Sequence, residues 1–244
     1  MYQDHPHFPP VSDSWFIWRY MDFTKFVATL EDNALWFPSC DKLDDPYEGA
    51  IPTLSWGVYK QQLKEVLGDV EQSNVLKQHK LTNEQARKAT YASCWHKADH
   101  ESAAMWKVYA PYGQGIAIHS NVNKLKQALK PATEAVYLGG VQYLDYSKTA
   151  LSLGNFLFPF FCKRRSFEYE QEVRAIHLHP SMRQAEALPP GIRIAVDLDV
   201  LIDKVYVAPL SPDWVYQLVK KTLARHSLSH KDVIKSPLYD GPVS

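Results

Sequence analysis

The sequence predicts an α+β fold, a twisted and mostly antiparallel sheet, whole or split, flanked by helices. Three observations lead there. Short runs rich in β-branched and aromatic residues alternate irregularly with segments of helical periodicity, in neither a strict βαβ repeat nor an all-β series. The 244 residues are 45% hydrophobic and 22% charged, the composition of a globular chain able to bury a sizeable core. No internal repeat, low-complexity tract or central linker divides the chain, so residues 15–244 read as a single domain. Residues 1–14, polar and rich in His and Pro at their start, read as a flexible or loosely docked arm.

The elements follow in order. SWFIWRY, ending at Tyr20, has strand composition. TKFVATLED places Phe26, Val27 and Leu30 at helical spacing, and LWFPS at 35–39 is a second strand. DKLDDPYEG at 41–49 is a turn-rich loop, and 57–90 holds two helices. TYASCWH at 90–96 is a strand, 101–110 a short helix, PYGQG a turn and GIAIHS at 115–120 another strand. Asn121 caps the helix NVNKLKQAL. AVYLGGVQYL gives two strand halves around a Gly pair, the mark of a bulge or tight turn. LGNFLFPFF at 153–161, broken by Pro159, is a buried segment or pocket wall. EVRAIHL at 172–178, RIAVDL at 193–198, KVYVAP at 204–209 and DVIKSPL near the end are strands. The clearest helix is SPDWVYQLVKKTLARH. There Ser211 caps, Pro212 suits the first position, and Val215, Leu218, Val219 and Leu223 share a face.

Charge narrows the function classes. The 27 basic and 27 acidic residues balance, so no global field gathers nucleic acid. The three unpaired cysteines, Cys40, Cys94 and Cys162, fit a reducing compartment, and a cytoplasmic location is expected. The N-terminus lacks signal-peptide character, and no apolar run approaches the ~20 residues of a membrane span. Aromatic residues, with seven Trp and fourteen Tyr, serve a core by default and a ligand cleft by exception.

Four segments concentrate unusual residues. In FEYEQEVR, read as a strand, period two sets Glu168, Glu170, Glu172 and Arg174 on one face. That face is either a solvated one answered by Arg174, Lys163, Arg164 and Arg165, or a carboxylate pair for acid–base work. Crowding of this kind raises carboxyl pKa values. In WRY, Arg19 points away from Trp18 and Tyr20. It is either a surface arginine packed along its stem or a guanidinium fork for a phosphate or ribose. Ser93, in SCW, is a hydrogen-bonded core serine or a point of close approach. Trp95, Trp106, Tyr109 and Tyr112 are core rings or a stacking platform. PYGQG is no phosphate loop. The loop carboxylates Asp44, Asp45 and Glu48 form a structural Asx turn or, less simply, a divalent metal site for a nuclease or phosphatase. Neither His96 with His100 nor His177 with His179 has a metal-binding frame, so no metal is expected. His96 sits too close along the strand to serve Cys94 as a base.

In order and spacing, WRY, the Asp-Pro-Tyr-Glu loop, SCW, MWKVYAPYGQG and FEYEQEVR resemble the bacterial family called domain of unknown function 2971, from about Trp18 to Arg174. The loop departs from that pattern, with Asp44-Asp45-Pro46 where Asn-Asp-Pro is expected. More distantly, an arginine strand, a serine strand and a Glu-x-Glu strand resemble the layout of the Arg-Ser-Glu ADP-ribosyltransferases. That resemblance implies a split sheet with NAD or a related nucleotide in its cleft. Arg19 is then the anchor, Ser93 its support, Glu172 the key acid and Glu170 its helper, with Tyr20, Trp95, Trp106 and Tyr109 around the ligand. The acceptor is a protein, a nucleic acid or water, and a part in phage defence or a toxin system would suit such chemistry. The rival readings are a non-catalytic ligand-sensing or protein-binding module and the metal-dependent hydrolase.

Overall fold

The computed structural model describes residues 1–110, 113–151 and 154–241, with the side chains of 68–71 and 185–186 left aside. Tyr112 of the expected stacking platform and Leu153 of the aromatic run lie outside the described residues. In chain order the elements are β1 (Tyr2–Gln3), β2 (Phe16–Asp22), α1 (Phe23–Asp32), β3 (Ala34–Pro38), α2 (Thr53–Ala89) and β4 (Thr90–Lys97). Next come α3 (Ala103–Tyr109), β5 (Gly115–Asn121), α4 (Val122–Ala128), β6 (Val136–Gly140), β7 (Gln142–Leu144) and β8 (Cys162–Arg164). The chain closes with β9 (Glu172–Leu178), β10 (Gly191–Ala195), α5 (Leu198–Leu201), β11 (Lys204–Val207), α6 (Asp213–Arg225) and β12 (Asp232–Lys235). The fold is α+β, as expected, with a mixed and mostly antiparallel sheet.

Eight strands run in the order β1-β6-β9-β4-β2-β5-β11-β12. The two edge pairings, β1 with β6 and β11 with β12, are parallel, and the inner pairings are antiparallel. β2 pairs with β5 along its whole length, from Phe16 to Asp22. Against β4 it pairs only at Ile17↔Lys97 and Trp18↔His96. Beyond Trp18 these two strands part, and the sheet opens along its middle.

Alternation along β2 explains what fills each side. Ile17 and Met21 join the main core with Trp95, Val173, Ile116 and Ile118. Residues of α1, α4 and α6 cover that core, among them Phe26, Leu125 and Val219. Trp18 and Tyr20 turn to the other face, against Met105 and Trp106 of α3. Arg19 points away from Trp18 and Tyr20, as expected, but the face it enters belongs to the main core and not to solvent.

Several local expectations need correcting. FEYEQEVR is not one strand: Arg165–Glu170 is a 3-10 turn, Gln171 is left-handed at φ 41°, and the strand begins at Glu172. Glu168 is exposed and leaves the face it was expected to share. α6 has Pro212 at its N-cap, while Ser211 donates to the Gly113 carbonyl at 2.5 Å instead. Asp197, read as strand, caps α5 by accepting from the Asp199 and Val200 amides. The strand break in AVYLGGVQYL falls at Val141, and Gly139 sits inside β6 because a Cβ there would meet the Phe161 ring at 2.7 Å. Residues read as a flexible or loosely docked arm lie against the sheet: β1 pairs with β6, and Phe8 is buried beside Phe161.

The helical segment α2 doubles back on itself. The rings of Tyr59 and His79 stand 4.8 Å apart, where a straight helix would separate those residues by about 30 Å. It therefore packs as two arms side by side, where the sequence predicts two helices over 57–90. The loop before it is anchored by Gly49, at φ +66°, whose carbonyl accepts from Asn83 at 3.0 Å. A Cβ on Gly49 would stand 2.3 Å from the buried Phe160 ring. Gly49→Ala is expected to lower the urea midpoint by an amount worth roughly 1–3 kcal/mol. An unchanged midpoint would mean that the loop is free to move off Phe160.

Candidate functional site

The parting of β2 from β4 leaves a cleft of ≈ 530 Å³. Such a volume falls in the ~300–1,000 Å³ range of small-molecule sites. Arg19 and Tyr20 of β2, Trp95 of β4, Tyr109 of α3, and Glu170 and Glu172 all line it. Arg19 and Trp95 belong to one face of the sheet. Glu172, paired with His96, belongs to the other. In a continuous sheet they would be separated by the strands themselves; the opening lets both reach one space.

Arg19 is fixed from below. Its Nη1 donates to Ser93 Oγ and its Nη2 to the Trp36 carbonyl at 2.8 Å. The guanidinium lies 5.7 Å from the centre of the Trp95 ring, whose indole N–H also donates to Ser93 Oγ at 3.2 Å. Burial lowers the Arg19 pKa to about 10, which leaves it charged at neutral pH. Ser93 is thus a buried, hydrogen-bonded serine behind Arg19 and outside the cleft lining.

The carboxylate pair sits in a buried ionic cluster. Lys163 Nζ reaches Glu170 Oε2 at 2.5 Å, Glu172 Oε1 at 2.9 Å and Glu48 Oε1 at 3.3 Å. Arg174 grips Glu48 through Nη1 at 2.6 Å and Nη2 at 3.2 Å, and donates to Glu172 Oε2 at 2.8 Å from Nη2. Its Nη1 also caps the Phe160 carbonyl at 2.8 Å. Burial pushes the Glu170 carboxyl up to about 8, assisted by its hydrogen bond to Glu172 and that neighbour's charge. Burial acts on Glu172 too, but Arg174, the Glu170 hydrogen bond and Lys163 outweigh it and hold Glu172 well below the usual carboxylate range. The two environments push the pair apart, which is how one site keeps both an acid and an anion.

The remaining expected residues divide. Tyr109 is partly exposed, and burial, then Cys94 and the Glu170–Glu172 pair, raise its hydroxyl. Trp95 is 1% exposed, so it carries Arg19 and offers no stacking face. Trp106 packs at 90° against Tyr20, its N–H held by Glu101 at 2.8 Å, and does not line the cleft. The Tyr20 hydroxyl accepts from the Ser102 amide at 2.8 Å. The ring that sequence reasoning missed is Trp36, 42% exposed at the cleft wall with Arg193 over it. Its signal was present: Leu35 and Phe37 alternate with it and are buried. Lys25, Lys42 and Arg193 also reach this wall.

The loop carboxylates are engaged by cations. Asp45 accepts from the Tyr47 amide at 3.0 Å, an Asx turn, and pairs with Arg164 at 2.7 Å. Glu48 is held by Arg174, as above. Among the described residues no three His, Cys, Asp or Glu side chains are arranged to hold a metal ion. Among them too, no helix is long and apolar enough to cross a membrane. No family model, curated protein or solved structure matches the chain, so the family resemblance stands on its motifs alone.

Proposed function

We propose that the chain is an ADP-ribosyltransferase-like enzyme that binds NAD or a related nucleotide in the open middle of its sheet and breaks the ribosyl bond to the base. The observation that carries this reading is the cleft itself, which collects Arg19 from one face and the Glu170–Glu172 pair from the other. Arg19, held by Ser93, offers a fork to a phosphate or ribose oxygen. Trp36 and Tyr109 are the exposed rings for a base. When the glycosidic carbon–nitrogen bond breaks, its electron pair leaves with the nicotinamide and the ribose becomes an oxocarbenium ion. Glu172, a fixed anion, stabilises that charge. Glu170 takes the proton of the acceptor nucleophile, whether from a protein, a nucleic acid or water.

Titration of the protein with NAD, followed by its thermal midpoint, tests the reading. Saturation at one hundred times Kd adds ~2.7 kcal/mol to stability. Arg19→Ala is expected to abolish the shift and Arg19→Lys to weaken it, because an ammonium lacks the planar fork. Nicotinamide release is then assayed by chromatography. Binding without release would assign a ligand-sensing module instead, and no shift at millimolar NAD would remove the nucleotide from this cleft.

A further inference from the structure

We infer that the cleft selects a ligand bearing a fixed positive charge beside Glu170, an N-substituted pyridinium in chemical class, and that binding it expels a proton from the protein. This rests on the nucleotide reading above for its site and adds the charge state of the substrate.

Charge balance decides the matter, in a place that water barely reaches. Glu48, Glu170 and Glu172 meet Lys163 and Arg174, and the five side chains belong to residues exposed by 1%, 8%, 6%, 7% and 0% in that order. Three carboxylates against two cations leave one surplus negative charge. A buried surplus is costly and is met by a proton or by a cation. The two cations have little left to give, since Lys163 already serves three carboxylates and Arg174 serves two and a carbonyl. The next cation along the chain, Arg164, is turned to Asp45.

Arg19 lines the same cleft and is charged, but its guanidinium is held on Ser93 and the Trp36 carbonyl, and the other groups around Glu170 do not supply the missing charge. Tyr109 and Tyr143 have hydroxyls raised by burial and by the carboxylates, so they stay neutral. So does Tyr169 on the same turn, for the same causes. Cys94 is a thiol pushed well up by burial and Glu172. His96 is lowered by burial, and its Nδ1 is occupied by the Glu170 carbonyl at 2.6 Å. In the free protein the surplus is therefore carried as a proton on Glu170. Glu170 lines the cleft, so a cationic ring can take over that role and release the proton. A metal ion is the poorer occupant, because Lys163 and Arg174 already hold the carboxylate oxygens.

Calorimetry at pH 7 in buffers of differing ionisation heat reads the proton directly. The probes are NAD with its pyridinium ring, NADH with its neutral dihydropyridine, 1-methylnicotinamide and uncharged nicotinamide. NAD is expected to bind roughly tenfold or more tighter than NADH and to release on the order of one proton per ligand. The release should vanish at pH 9.5 or in Glu170→Gln, which balances the cluster and so does not lower its thermal midpoint. Equal binding of NAD and NADH without proton release would overturn the charge selection and leave the nucleotide reading in place. If neither dinucleotide binds, the nucleotide reading fails and the smaller pair decides. 1-Methylnicotinamide binding with proton release, absent for nicotinamide and in Glu170→Gln, supports the inference; equal behaviour of the two overturns it.

Discussion

Arg174→Leu is expected to cost about 3–5 kcal/mol of folding stability at pH 8, the loss that follows when one partner of a buried ion pair is removed. Arg174 is fully buried, and its charge answers both Glu48 and Glu172. Without it, Lys163 alone faces three carboxylates, and two surplus charges replace one. The chain then relieves itself by taking up protons, so the variant should recover much of its stability near pH 5. Arg174→Lys should restore only part, because an ammonium cannot grip Glu48 with two nitrogens while reaching Glu172 and the Phe160 carbonyl. The double variant Arg174→Leu, Glu48→Leu should be more stable than the single one, since it removes an orphaned charge along with its partner. Urea midpoints at pH 5 and 8 measure all of this. If Arg174→Leu matched the wild type at pH 8, the cluster would be wetter than its burial implies.

The sequence made much of this fold readable, and the failures have particular causes. β9 was read at its observed bounds, and α1 and α6 were recognised by periodicity because each lays a continuous apolar stripe on the main core. The approach of Glu170 to Glu172 was anticipated by the wrong route. Period two assumes extended backbone, whereas the pair meets across a left-handed residue, Gln171. The split between β2 and β4 is a ladder that stops after two pairs, and nothing local to either strand encodes it. It entered only as an implication of a resemblance. Lys163 was seen as a nearby cation, and the structure makes it the hub of the pair. Glu48 looked like part of a turn or a metal loop, yet its partner Arg174 lies 126 residues away, beyond the reach of any motif. Trp106 and Trp95 illustrate the general hazard, for an aromatic residue beside a site is more often its foundation than its wall.

Glu170→Gln is expected to remove the alkaline loss of stability that the wild type shows between about pH 5 and about pH 8. The Glu170 carboxyl titrates at about 8 in the folded protein against 4.5 in an unfolded chain. Because the folded value is raised, its contribution is fully present below 4.5 and is lost as pH rises through 8. The slope approaches ~1.4 kcal/mol per pH unit at most, and screening by solvent in the cleft brings the total to the order of 2–4 kcal/mol. Glu172 acts oppositely: its folded value is depressed, so its contribution is present above 4.5 and lost as pH falls below that. The wild type should therefore be most stable in mildly acidic solution. Glu170→Gln should keep the acid arm and lose the alkaline one. Glu172→Gln should lose the acid arm and shrink the alkaline one, because burial still raises Glu170 but the hydrogen bond and the charge that add to it are gone. The same proton governs catalysis in the proposed reaction, since Glu170 acts as a base only once it has lost it. Thus kcat/KM should rise with pH towards about 8, and the stability curve should fall over that same interval. An alkaline slope that persists unchanged in Glu170→Gln would place the proton on another group and dissolve the link between the two curves.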